Sequence, residues 1–255
     1  MRLQNFRSCF SFSPFRLFPL LASMDLIFTG TKHAFWLLLS GNSEVWRITL
    51  LSLQISISAT LISLLLGIPL GTFLALNRFP GQRLVISLVN TGMSLPPVVV
   101  GLFVTIFLWR SGPLGFLHLL YTPTAMVLAQ VVIAAPIVTG LTLAAIQQLN
   151  PKLRLQILAL GASRVQLVWL LLREARLPLL AAVMAGFGGV ISEIGASIMV
   201  GGNLLGHTRV LTTATVLETS KGNFDVAIAL SVILLLLIFG VNAVLTYTQQ
   251  RQRPL

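Results

Sequence analysis

Charged residues make up only 9% of the 255-residue chain against 56% hydrophobic ones, and the mean hydropathy is +0.93. A soluble domain carries nearer a quarter charged residues, so this scarcity excludes one. Cysteine occurs once, at Cys9, which excludes an internal disulfide and leaves no sulfur cluster for a metal. The three histidines, His33, His118 and His207, stand far apart in what read as outer loops and form no catalytic or metal constellation. No glycine is followed by lysine anywhere, so the chain has no phosphate-cradling loop of the form G-x-x-x-x-G-K-[ST] and cannot itself be an ATPase of that type.

What is present is length without charge. A helix needs about 20 apolar residues to cross the roughly 30 Å hydrocarbon layer. Five runs meet that requirement: 48–77, 84–109, 123–148, 179–201 (interrupted once, by Glu193) and 224–248. They show neither two-residue alternation nor ten-residue spacing, which favours helices over an outer-membrane barrel. The expected fold is an all-α polytopic membrane protein of about five transmembrane helices. Residues 1–23, with Arg2, Arg7 and Arg16 scattered through them, read as an extension preceding a more ordinary start at Met24, and 24–47 as an outer or interfacial segment.

The 17 basic and 6 acidic residues are spread over short connections. There they speak to orientation, not to nucleic acid, which is not an expected partner. With a cytoplasmic carboxyl end, that side receives Arg78, Arg83, Lys152, Arg154, Arg164, Arg173, Arg176, Arg251 and Arg253, and the outside receives Lys32, Arg47, Arg110, Arg209 and Lys221. The bias favours this arrangement, and five spans then put the amino terminus outside.

The loop 149–178 has a sharp local grammar. Asn150 suits a helix cap, Pro151 the first helical position, and Gly161 the end of a helix about ten residues long. Ser163 and Gln166 have the capping-box spacing for a second helix, and Pro178 ends or kinks that helix before the fourth span. A helix, a tight turn and a helix on the membrane face make a compact knob suited to docking. An equally open reading is a basic loop resting on anionic membrane lipid.

The stretch "LGAS", Leu160 to Ser163, followed by Leu177-Pro178, resembles the cytoplasmic coupling (EAA) loop of permease subunits in bacterial ABC importers. The resemblance implies docking of Ala159, Leu160, Gly161, Ala162, Ser163 and Arg164 into a groove of an ATPase partner. Two departures stand out: Leu155, Gln156 and Ile157 occupy the region of the family's Glu-Ala-Ala, and Leu177-Pro178 comes four residues late. A second and stronger match lies in "ISEIGASIMVGGNLLGHTRVLTTATVLETSKGNFDVAIAL", Ile191 to Leu230. With "TLLSL", "LPPVVVGL" and "SGPLGFL" earlier, it is similar to the oxyanion permeases for molybdate, sulfate and tungstate, the tungstate type most of all. This resemblance implies an importer of the molybdate-permease type in the bacterial cytoplasmic (inner) membrane. Its parts are a homodimer of this chain, two copies of an ATPase subunit, an extracytoplasmic substrate-binding protein and an oxyanion cargo, with no cofactor. A channel or a secondary transporter is the rival class, for which inverted repeats or more buried charge are expected.

An anion pathway needs neutral donors and broken helices more than a deep cationic trap. Ser52, Gln54, Ser56, Ser58 and Thr60 read as recurring along one side of the first span. Asn90, Thr91 and Ser94 precede Pro96 and Pro97 in the second. Ser56, Asn90, Ser94, Pro96, Pro97, Ser192, Glu193 and Gly195 are the pathway or gate candidates. Hydroxyls and small residues are equally the ordinary glue of membrane helices, and prolines ordinary breaks. Glu193, alone inside a span, costs at least ~2.5 kcal/mol if unpaired. It is expected to accept bonds from a neighbouring helix or to pair with an arginine, not to face an anion. Outside, Asn203, Thr208 and Arg209 follow a glycine-rich stretch, and Arg209 is the best single candidate for attracting the anion.

Overall fold

The computed structural model describes residues 17–251. Among them the elements are helices α1 (Leu17–Leu39), α2 (Ser43–Leu76), α3 (Gln82–Met93), α4 (Pro97–Leu108), α5 (Pro123–Gln147), α6 (Pro151–Ala159), α7 (Arg164–Glu174), α8 (Arg176–Ile191), α9 (Gly195–Gly201), α10 (Leu211–Ser220) and α11 (Phe224–Arg251), with a 3-10 turn at Gly115–Leu117. No strand occurs among the described residues, in line with the all-α expectation.

Three helices, α2, α5 and α11, are by themselves long and apolar enough to span a bilayer; the count rises to five if α3–α4 and α8–α9 are each taken as one bent span. The runs 84–109 and 179–201 are thus each two helices and not one, and a break at Pro96-Pro97 is what the sequence suggested. The first is bent by 103° at Ser94–Pro96 and the second by 56° at Ser192–Ile194. At the first bend Pro96 and Pro97 remove two backbone donors in succession, and the residue before a proline is driven out of the helical region. The first span also starts earlier than position 48. Asn42 caps α2, its Oδ1 accepting from the N–H groups of Glu44 and Val45 at 3.1 and 3.2 Å. Residues 24–47 hold most of α1, a short turn and the start of α2, and His33 is a helical residue, not a loop one. Within the proposed extension, residues 1–16 lie outside the described ones, while from Leu17 the chain is already α1. That helix lies along α11: Ala34 and Leu37 share an apolar cluster with Leu230 and Ile233, and His33 Nδ1 sits 3.9 Å from Asp225 Oδ2.

The centre of the molecule is the α2–α5 pair. Ser63, Gly67 and Gly71 recur every fourth residue, which aligns them on one helix face. A Cβ added to Gly71 would stand 2.5 Å from the carbonyl oxygen of Thr139, so the two backbones touch there. Three hydroxyls within this apolar interior are spent on their own helix: Ser52 donates to Ile48 O, Thr60 to Ser56 O and Thr139 to Ala135 O, each at 2.7 Å. The serines of α2 do not share one side as expected. A two-residue period alternates faces on a helix. Ser52, Ser56 and Thr60 are buried, whereas Gln54 is exposed and Ser58 half-buried.

Around this pair the packing is uneven. α3 buries none of its residues. Much of α4 is exposed as well, including Leu102, Phe103, Ile106 and Phe107. The outward face of α11 carries Leu235, Phe239 and Val244.

Candidate functional site

Three regions collect the candidate residues, and the first is the α6–α7 hairpin at the end of α5. Its caps form as the spacing predicts. Asn150 Oδ1 accepts from Lys152 N at 2.9 Å; Ser163 Oγ accepts from Gln166 N at 3.3 Å while Gln166 Oε1 accepts from Ser163 N at 2.8 Å. Between them Gly161 takes φ +81°, a left-handed conformation that strains any side chain by about 1–2 kcal/mol. Ile157, Leu167, Leu171 and Ala175 pack with Ala145 and Ile146 of α5 and fix the hairpin to the bundle. The opposite surface stays open: Leu160 is 88% exposed and Val165 79%. Pro178 does not end α7. The chain turns at Ala175, and Pro178 is the third residue of α8, within the first turn, where its missing N–H leaves no helix bond unmade.

The second region is where the two bent spans meet. A Cβ at Gly101 would lie 2.6 Å from the Cα of Ala196, and one at Gly195 2.5 Å from Val98 Cγ2, so the starts of α4 and α9 are in contact. Glu193 is buried at the break, yet it is fully bonded. One carboxylate oxygen accepts from Ala196 N at 2.9 Å; the other accepts from Ser197 N at 3.0 Å and from the Ser197 hydroxyl at 3.2 Å. Its expected partner was a neighbouring helix or an arginine; the donors are instead the first turn of α9, three and four residues on. A carboxylate there also meets the positive end of the helix. The backbone carbonyl of Glu193 accepts from Thr212 Oγ1 at 3.1 Å, Gln130 Nε2 donates to Ser197 Oγ at 3.3 Å, and Leu211 N donates to Ser52 Oγ at 2.8 Å. The break is thus tied to α10 and α5, and α10 in turn to α2. Ser52, Ser56, Gln130, Glu193 and Thr212 surround a cavity of only about 10 Å³. Ser56 sits in this sealed cluster, whereas Asn90, Ser94, Pro96, Pro97 and Ser192 are exposed on the surface of the single chain. The hydroxyl of Ser192 donates to Gly188 O at 2.6 Å. Ser52 was among the neutral donors read along the first span, but Gln130 and Thr212 were not singled out from the sequence; a polar Gln inside the charge-free run 123–148 was the available signal.

The third region is the opening beside the start of α2, a cavity of about 290 Å³ lined by residues that include Ser43, Glu44, Arg47, Gly206 and Arg209. Arg209 does not stand alone there: its Nη1 is 3.7 Å from Glu44 Oε1, and its side chain is only 17% exposed. Arg47 donates from Nη2 to the Gly206 carbonyl. Asn203 and Thr208 hold the loop together. Asn203 Oδ1 accepts from Thr213 Oγ1 at 3.0 Å; Thr208 Oγ1 donates to Gly201 O at 2.5 Å and accepts from Leu204 N at 3.0 Å. Nearby, hydrogen bonds from Asn223 (2.8 Å) and Lys221 (2.7 Å) hold the Glu218 carboxyl below its ordinary value. No group of three or more potential metal ligands occurs among the described residues.

A bundle with two broken spans and a capped hairpin at one end of α5 is the build of a membrane-embedded transport permease. The chain belongs to the family described as binding-protein-dependent transport system inner membrane components, whose model matches residues 67–254. Among its relatives, the tungstate uptake system permease protein TupB of Peptoclostridium acidaminophilum is 40% identical over 227 residues, covering 89% of this chain and all of that protein. Its Campylobacter jejuni counterpart of the same name is 38% identical, with 86% and 92% covered. The molybdenum transport system permease protein ModB of Escherichia coli K12 is 30% identical, with 75% and 91% covered. Of solved structures, the chain is similar in fold to one of the inward-facing MetNI methionine ABC transporter (TM-score 0.67, 22% identity, 86% of this chain and 98% of that one). It is likewise similar to one of a bacterial ABC transporter importing alginate (TM-score 0.72, 18% identity, 86% and 83%). The expected fold, a permease of the type I ABC importer class, stands.

Proposed function

We propose that this chain is the membrane-spanning subunit of an ATP-driven importer for an oxyanion, and that its cargo is tungstate. The observation that carries this reading is the end-to-end correspondence with a tungstate permease at 40% identity, against 30% for a molybdenum permease. Uptake of tungstate measured by elemental analysis in cells lacking this chain tests it. Tungstate should stop accumulating and recover on complementation, and a defect confined to molybdate or sulfate would reassign the cargo.

In the proposed machine two copies of the chain close a pore, and two ATPase subunits and an external binding protein complete it. The exposed polar set Asn90, Ser94, Pro96, Pro97 and Ser192 beside an α3 that buries nothing supports a second copy on that face. Leu160 and Val165, held out on a packed base, support the hairpin as the ATPase contact. Ala159, Gly161, Ala162, Ser163 and Arg164 form and flank its turn. The excess of basic residues at the hairpin end supports a cytoplasmic hairpin and carboxyl end, with the start of α2 outside. The earlier placement of the amino terminus outside counted five spans without α1, so it is not carried over to the residues before α2. The bonding of both Glu193 oxygens supports a structural role for that carboxylate at the break, and the Arg209–Glu44 pair tempers Arg209 as an anion trap.

A further inference from the structure

The end of α2 and the α6–α7 hairpin enclose a groove of about 490 Å³ lined by Leu76, Asn77, Arg154, Leu158, Arg164, Leu167 and Val168. Its chemistry is divided. Two guanidinium groups and an amide stand against four aliphatic side chains, and no carboxylate lines it. Arg154 Nη1 donates to the carbonyl of Leu76 at 3.2 Å, which uses one of its five N–H donors and holds the head at the groove. Leu76 is the last residue of a 34-residue helix, longer than the roughly 30 Å hydrocarbon layer requires, so the groove stands at the headgroup end of that span. A planar guanidinium is suited to a phosphate oxygen pair, and two of them without a counter-charge leave an unmatched positive site.

We infer that this groove is a binding site for an anionic phospholipid, with the phosphate on Arg154 and Arg164 and an acyl chain along Leu76, Leu158, Leu167 and Val168. A free oxyanion of similar charge gains nothing from the aliphatic floor, whereas a phospholipid satisfies both halves at once. The groove shares Arg164 with the flank of the hairpin turn, while Leu160 and Val165 do not line it and stand exposed at the tip. An occupant here wedges between the span and the hairpin, replacing water beneath the element that the proposed motor grips.

The test uses the full chain alone in mild detergent, with phosphatidylglycerol, phosphatidylcholine, glycerophosphate and tungstate as separate probes and bound ligand read by native mass spectrometry. Phosphatidylglycerol is expected to be retained over phosphatidylcholine, and Arg154→Gln and Arg164→Gln each to weaken that retention about fivefold. Leu158→Asn should weaken it too. Arg154→Gln also removes the tie to Leu76, so Arg164→Gln, outside that tie, serves as the independent variant. Equal retention of the two lipids, unchanged retention by Arg164→Gln, or binding of glycerophosphate or tungstate as firm as that of the lipid each overturns the inference. The ATPase is absent from this experiment, so its outcome leaves docking at Leu160 to be judged separately.

Discussion

The hairpin at 150–174 and the break at 192–195 are both places where helices stop and start again, but they stop for different reasons. In the hairpin every device is local: Asn150 caps α6, Gly161 turns left-handed, and Ser163 with Gln166 closes a box over α7. At the break, Glu193 supplies a local cap for α9, yet the place is fixed from outside by Thr212, by Gln130 through Ser197, and by the backbone approach of α4. A turn built from its own residues can be displayed at a surface. A turn braced by three other helices cannot be moved without disturbing them.

Substitutions should separate the two. Glu193→Ala removes a buried cap and leaves three donors unmet, so it should lower stability by about 2–3 kcal/mol and abolish transport, read as a fall in thermal unfolding temperature in detergent. Glu193→Gln should be intermediate, because an amide offers one acceptor oxygen where the carboxylate offers two. If Glu193→Ala unfolds like wild type, the break does not depend on its cap. Gly161→Val should cost about 1–2 kcal/mol through its left-handed φ, leave membrane insertion intact and abolish co-purification with the ATPase. Ser163→Ala should cost about 1 kcal/mol, seen in the same melting experiment and weakening ATPase association in proportion. Leu160→Asp should barely shift the melt, since the side chain is 88% exposed, while still preventing association. Persistence of the complex in that variant would move the docking surface elsewhere.

The smallest effect concerns Glu218. Its folded carboxyl is held below the ordinary 4.5 by Asn223 and Lys221, so its contribution is fully present above that value and lost as pH falls through the lower folded value. A melting profile taken at falling pH should show a slight acid-side loss that Glu218→Gln lacks.

The same contrast explains what could be read from the sequence. Capping chemistry operates over three or four residues, so Asn150-Pro151, Gly161 and Ser163-Gln166 announced the hairpin directly. The spans were legible because hydrophobic length is a property of the chain alone. The 103° bend was not: Pro96-Pro97 signals a break, but its angle is set by what α3 and α4 pack against. Glu193 reads from the sequence as needing donors from a neighbouring helix or an arginine, and the donors lie three and four residues on, in the Ala196–Ser197 turn. The serines of α2 misled in a simpler way, because a two-residue repeat cannot occupy one side of a helix. Asn203 and Thr208 stood out only as outer-loop candidates, and that their side chains tie the loop together was not legible, since which loop carbonyls and hydroxyls meet is set by the fold.

At Gly71 the backbones of α2 and α5 touch, and the hairpin's apolar base is shared with the last turn of that same α5. Those three pieces consequently behave as one stiff beam with a handle at its end. Under the proposed docking, a tug on Leu160 would travel through this shared packing to the middle of the bundle.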